Sequence, residues 1–204
     1  DEIRQRYRAH AEAIRARGIV EGTTRVPHAD YVRAPRYLRD GRLLYFADDG
    51  RSQPGLFVRG HDGSRARLVR TASEAYASVH PDGKTIVFSQ TAPTRDLYDF
   101  HDLFMLDLES GTSERLTHGL RAREPDISPD GREVAFVTQA GGTSQLELAK
   151  LEDIESSRRV LLRSEPFDQV FTPRYSPDGT RIACSVMQRG GYRDIVIVDR
   201  ATGA

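Results

Sequence analysis

The side chains in this sequence that could do chemistry are six histidines, one cysteine and a set of regularly spaced aspartates. His10, His28, His61, His80, His101 and His118 are dispersed, with no His-Glu-x-x-His and no close His/Cys pair to hold zinc. Cys184 stands where three related segments carry phenylalanine, which reads as a core position rather than a nucleophile. No Gly-x-Ser-x-Gly elbow is present. Asp82, Asp130 and Asp178 are candidate paired carboxylates by type. Each recurs once per repeat inside a turn, however, so they should lie far apart and serve the backbone. The expectation is a chain with no catalytic residues and no cofactor.

The elements that carry these residues follow from an internal repeat. Its anchors are Asp40-Gly41, Asp82-Gly83, Asp130-Gly131 and Asp178-Gly179, with glycine spacings of 42, 48 and 48 residues. The last three are preceded by proline, and Ser-Pro-Asp-Gly is turn chemistry: proline presets φ, aspartate bonds the backbone ahead, and glycine accepts positive φ. Short β-rich runs follow each glycine: Leu44-Tyr45-Phe46, Ile86-Val87-Phe88, Val134-Ala135-Phe136 and Ile182-Ala183-Cys184. They are apolar on both faces, as in a strand covered from two sides. Further runs at Leu56-Val58, Leu103-Leu106, Leu146-Leu148 and Ile195-Val198, then more polar ones such as Arg115-Leu116-Thr117, complete four strands per unit. Tyr37, Val79, Ile127 and Tyr175 hold matching places before the glycines. That is the pattern of a propeller blade, stacked radially on its neighbours.

The stretch Glu124-Pro125-Asp126-Ile127-Ser128-Pro129-Asp130-Gly131, with Glu114-Arg115-Leu116-Thr117 before it, resembles the TolB-type, WD-like propeller repeat of bacteria. The resemblance covers about residues 30–204. It implies an all-β propeller with about four four-stranded blades, at 30–72, 73–119, 120–164 and 165–204, the last incomplete. It also implies a larger ring of roughly six to eight blades. Residues 1–19 read as an amphipathic linker helix, with Ile3, Tyr7, Ala11 and Ile14 at helical spacing. Residues 20–29 match the outer strand of the second blade and read as an orphan strand. An open blade edge could then serve self-association, or be closed by that strand.

Thirty basic and thirty acidic side chains give zero net charge, which disfavours nucleic-acid binding. No run of eighteen apolar residues predicts a membrane span. One segment departs from the repeat: residues 91–101 read as a long loop carrying Asp96, Tyr98, Asp99, Phe100 and His101, a recognition composition. Propeller topology puts it on one rim with Glu74, Arg121, Arg123, Glu124 and Asp168, the expected surface for a protein or peptide. A cation in the central channel could draw on Glu124, Asp126 and Asp168, but Arg36 and Arg174 share the repeat position of Asp126, which argues against it. The resemblance implies a non-catalytic scaffold of the cell envelope, periplasmic or otherwise extracytoplasmic, its signal peptide outside this chain. The alternative is the accessory, substrate-gating propeller of a peptidase whose catalytic domain lies elsewhere.

Overall fold

In the computed structural model the described residues are 31–204 except 96 and 189. The helix expected at 1–19, the strand expected at 20–29 and Asp96 lie outside them. Four antiparallel sheets follow one another, each laid down in chain order. The first joins β1 (Tyr31–Tyr37), β2 (Leu43–Asp48), β3 (Gly55–Arg59) and β4 (Arg65–Arg70). The second joins β5 (Ala77–Val79), β6 (Thr85–Thr94), β7 (Tyr98–Asp107) and β8 (Ser113–Arg115). The third joins β9 (Ala122–Ile127), β10 (Glu133–Ala140), β11 (Thr143–Lys150) and β12 (Arg159–Arg163), with the one-turn helix α1 (Ile154–Ser157) before its last strand. The fourth has three strands among the described residues: β13 (Gln169–Tyr175), β14 (Arg181–Met187) and β15 (Arg193–Asp199). These are the blades of a propeller, and the all-β fold expected from the repeat is the fold observed.

The repeated turn works through its side chains. Ser128 donates to Asp130 Oδ1 at 2.6 Å and accepts from the Glu133 amide at 2.9 Å, while Gly131 holds φ +76°. Ser176, Asp178 and Arg181 repeat the arrangement at 2.5 and 3.0 Å. Both turns thus close on the residue five ahead of the serine. Leu38, at the same place in blade one, has no hydroxyl, and its amide bonds Arg42 O, one residue sooner. The register follows: Val79, Ile127 and Tyr175 pair with Ile86, Val134 and Ile182, but Tyr37 pairs with Leu43. Tyr37 is 74% exposed, on the first strand of the first described blade, where no preceding blade among the described residues covers it.

Alternate side chains of the second strand feed two different blade interfaces. Ile86 and Phe88 pack toward blade one with Leu44, Phe46 and Leu56. Val87 packs toward blade three with Val134 and Phe136. Ala135 and Val137 pack toward blade four with Ile182, Cys184 and Val198. This two-sided burial is why these runs lack the polar alternation of a half-exposed strand. Cys184 is buried in the slot of Phe88 and Phe136, and burial pushes its thiol up to about 11, away from nucleophilic use.

The Arg-Leu-Thr segment has a physical reason. Asp102, fully buried on β7, accepts from Arg115 Nη2 at 2.5 Å, Thr117 Oγ1 at 2.7 Å, Gly119 N at 2.8 Å and Leu120 N at 3.0 Å. One carboxylate thereby ties the outer strand and the connection to blade three onto the sheet. Glu147 is the counterpart on β11, buried and held by Thr138 at 2.6 Å and Arg158 at 3.0 Å.

The turn aspartates set the acid limb of stability. The Ser176 hydroxyl and then the Thr180 amide hold Asp178 at about 2, and the Ser52 and Arg51 amides do the same for Asp49. A folded-state value below the unfolded one gives stability that is present above about pH 4 and lost as pH falls toward 2. Glu124 and Asp126 act oppositely: burial raises both carboxyls, so their contribution is largest when protonated and declines as pH rises through their folded values. The change in urea midpoint from pH 5 to pH 3 is therefore expected to be less negative in Ser176→Ala than in the native protein, because the variant lacks the hydroxyl that lowers Asp178. Identical pH dependence in the two proteins would contradict the assignment.

Candidate functional site

Within an antiparallel blade, the hairpin between the second and third strands and the connection to the next blade leave the same edge. That edge gathers the tip of the β6–β7 hairpin (Thr94, Arg95, Leu97 and Tyr98) with residues 116–121, 164–168 and 190–192 on one rim. Here the expected loop at 91–101 is instead a continuation of the sheet. Thr91, Ala92, Pro93 and Thr94 pair with His101, Phe100, Asp99 and Tyr98. The β-branched and aromatic residues favour this, and the proline does not prevent it. The Thr91 amide points away from β7 to Ser73 Oγ at 3.0 Å, so Pro93, two residues on, sits where no ladder amide toward β7 is needed.

The hairpin presents different chemistry on its two faces. Tyr98 and Phe100 lie on one, rings stacked at 5.8 Å and 3°, and the Arg121 guanidinium lies 4.1 Å over Phe100. This joins two of the expected rim segments into one patch, in which Tyr98 is 56% and Leu97 76% exposed. Asp99, also exposed, and His101 fall on the other face. His101 is turned inward; burial and then the Arg123 charge lower its pKa, while Glu74 and Asp102 oppose this. Glu74 is spoken for by blade one, with Arg33 Nε at 3.1 Å and Tyr31 OH at 3.3 Å. Asp168 lies in the connection before β13, where its carbonyl accepts from Thr143 Oγ1 at 2.7 Å.

Glu124 sits beneath the rim rather than on it, 3% exposed, with φ +56°. Its carboxylate accepts from the Thr172 amide of the next blade and lies 3.8 Å from Arg123 Nε. The rim has members that composition and loop length do not point to. Phe171 is flanked by Arg193 at 4.5 Å and Arg123 at 5.7 Å, and Phe167 and Tyr192 are 73% and 78% exposed. Phe171 stands eight residues before its turn glycine, as Arg123 and Arg33 do, so aligning the repeats could have found it.

Deeper on the axis, one residue per blade, five before the turn glycine, forms a layer: Arg36, Ser78, Asp126 and Arg174. In three of them the inner strand has just bulged. Ala34, Glu124 and Thr172 take φ +52°, +56° and +48°, each followed by proline, and the ladder register shifts there. A bulge re-aims the side chains that follow it. Asp126 Oδ2 accepts from Tyr175 N at 2.8 Å, and Oδ1 lies 3.6 Å from Arg174 Nη1. Among the described residues no three His, Cys, Asp or Glu side chains converge as a metal site would require.

This geometry defines a β-propeller, and comparison places it more closely. The chain has the TolB-type β-propeller fold. It superposes on TolB from Acinetobacter baumannii with a TM-score of 0.70 at 22% identity, covering 86% of this chain and 42% of that one. On the putative TolB from Agrobacterium tumefaciens the TM-score is 0.65 at 19% identity, covering 85% and 79%. The propeller also matches a prolyl endopeptidase structure, with a TM-score of 0.59 and 32% of that chain covered. In sequence it is 30% identical over 148 residues to Atu1656, an uncharacterized protein of Agrobacterium fabrum, covering 70% of this chain and 47% of that protein. It is 33% identical over 123 residues to YuxL, an uncharacterized peptidase of Bacillus subtilis, covering 58% and 18%. The chain thus spans about half or less of the curated relatives it matches. No protein-family model matches the sequence. Among the described residues no helix is long and apolar enough to cross a membrane.

Proposed function

We propose that this propeller is a non-catalytic scaffold that binds a protein or peptide partner on the rim around the β6–β7 hairpin, as part of a bacterial envelope assembly. The observation that carries this reading is the patch of exposed Leu97 and Tyr98 beside half-buried Phe100, with Arg121 over the Phe100 ring and, on the same rim, Arg193 over Phe171. Aromatic and arginine side chains held rigidly at a surface are the usual anchors of protein interfaces. The extended hairpin preorganises them, since its backbone is already paired to Thr94↔Tyr98. The envelope location rests on the likeness to TolB propellers.

The test is site-directed photocrosslinking in the host's envelope extract, with the probe at Leu97 or, as control, at Ser113 on the outer strand. A discrete adduct from Leu97 alone is expected. Replacing both Tyr98 and Phe100 with serine, which leaves the hairpin backbone intact, should reduce that adduct at least about tenfold, as loss of anchor residues does. Equal adducts in both variants would refute the rim.

A second reading is favoured by the match to YuxL. In it the same rim faces a peptidase domain elsewhere in the full-length protein and admits substrate to it. A Gly-x-Ser-x-Gly elbow in the continuing coding sequence, with peptide hydrolysis by the full-length protein, would decide for this reading.

A further inference from the structure

We propose that the axial layer of Arg36, Ser78, Asp126 and Arg174 is a carboxylate-binding site, taking the carboxylate of a peptide between the two guanidiniums. The layer holds two positive charges and one negative, and the one negative charge is already engaged. Asp126 spends Oδ2 on the Tyr175 amide at 2.8 Å and meets Arg174 only at 3.6 Å, beyond hydrogen-bond length. Both guanidiniums are fixed the same way, by donation from Nη1 to the carbonyl of the preceding proline: Arg36 to Pro35 at 2.9 Å, Arg174 to Pro173 at 2.5 Å. Their remaining donors are thus aimed by the backbone bulge rather than left to wander. Arg36 Nη2 is buried and has no hydrogen-bond partner among the described residues.

A buried donor without an acceptor is costly, and a charge-assisted bond to an anion is the strongest way to satisfy one. Guanidinium presents parallel N–H groups that match the two oxygens of a carboxylate. Access exists, since a third of the Arg174 side chain is exposed (33%). Burial and then the nearby Arg174 charge push the Arg36 pKa down, while Asp126 opposes this, so an anion between the two cations would be stabilising. The site lies on the axis and uses none of the rim anchors, so it stands or falls separately from the partner surface proposed above.

The test is titration of the chain, at pH 7 in low-chloride buffer, with three peptides followed by guanidinium NMR: acetyl-Ala-Ala-Ala with a free C-terminus, its amide, and acetyl-Ala-Asp-Ala-amide. Saturable shifts of two arginine signals are expected with at least one carboxylate peptide and not with the uncharged amide. A response to the first alone identifies chain termini as the ligand, and a response to the third alone identifies acidic side chains. Arg36→Gln should weaken binding at least tenfold, and it removes a like-charge neighbour, so its melting temperature should not fall. Asp126→Asn keeps an acceptor for Tyr175 but removes the internal competitor, and should tighten binding several-fold. No saturable shift with either carboxylate peptide, an equal shift with the amide, or unchanged affinity in both variants would overturn the proposal.

Discussion

Replacing Asp102 with alanine is expected to destabilise the protein by about 3–5 kcal/mol, the cost of leaving buried charged partners uncompensated. Four donors converge on this fully buried carboxylate: Arg115, Thr117 and the amides of Gly119 and Leu120. Thr117 Oγ1 also accepts from the Leu103 amide at 3.0 Å, so disturbance passes into the β7 ladder. For a domain of this size such a loss lowers the melting temperature by roughly 6–20 °C. Asp102→Asn should fall between alanine and the native residue, because an amide can accept from some of the four donors but turns an N–H toward others. Thermal melts of the three proteins check this. Indistinguishable melting temperatures would show that the node is not holding blade two together.

The second large effect is expected at Gly131. A Cβ there would overlap His80 Nε2 and lie 2.9 Å from Cε1 of the same ring, on a backbone already at φ +76°. The His80 ring bonds Gly131 O at 3.1 Å and cannot stay where it is. Left-handed strain of about 1–2 kcal/mol and a lost hydrogen bond of about 1 kcal/mol give an expected cost of about 2–3 kcal/mol for Gly131→Ala. Gly111 provides the comparison: it has φ +71°, and a Cβ added to it would meet nothing within 4 Å, so Gly111→Ala should carry the backbone strain alone. Urea titrations of the two alanine variants separate the contributions. A double change of His80 and Gly131 to alanine should cost less than the sum, since one removes the atom the other strikes.

The repeat is legible because its turn chemistry is written in side chains that bond their own backbone. Ser128, Asp130 and Gly131 specify the turn locally, and the two-sided burial of Val134 to Phe136 follows from stacking blades on both faces. The register of blade one is not legible from the glycine spacing: the Leu38 amide bonds the carbonyl four residues ahead, whereas those of His80, Ser128 and Ser176 bond the one five ahead. Residues 91–101 exceed the usual hairpin length and contain Pro93, which suggests a loop. Only the direction of the missing amide, a property of the folded sheet, decides that the proline is tolerated. The rim is half legible. Tyr98, Phe100 and Arg121 can be chosen by composition, whereas the inward turn of His101 and the burial of Glu124 depend on which face of a strand each occupies. Of the two arginines at Phe171, Arg193 comes from β15 of the same blade and Arg123 from the blade before it, both far from Phe171 in sequence.

The turns described above also touch one another across blades, always in one direction. Arg39 lies 3.1 Å from where a Cβ on Gly83 would be, His80 fills the space over Gly131, and Pro129 lies over Gly179. Each blade therefore places the side chain ahead of its turn glycine on the glycine of the next. In a linear array, stability depends on such nearest-neighbour couplings as much as on each unit alone. Loosening the turn of blade two therefore removes two contacts at once, Arg39 on Gly83 and His80 on Gly131, and should speed hydrogen exchange in blades one and three alike. The succession of blades thus has a polarity in its geometry, while an injury to one turn is shared by the blades on both sides of it.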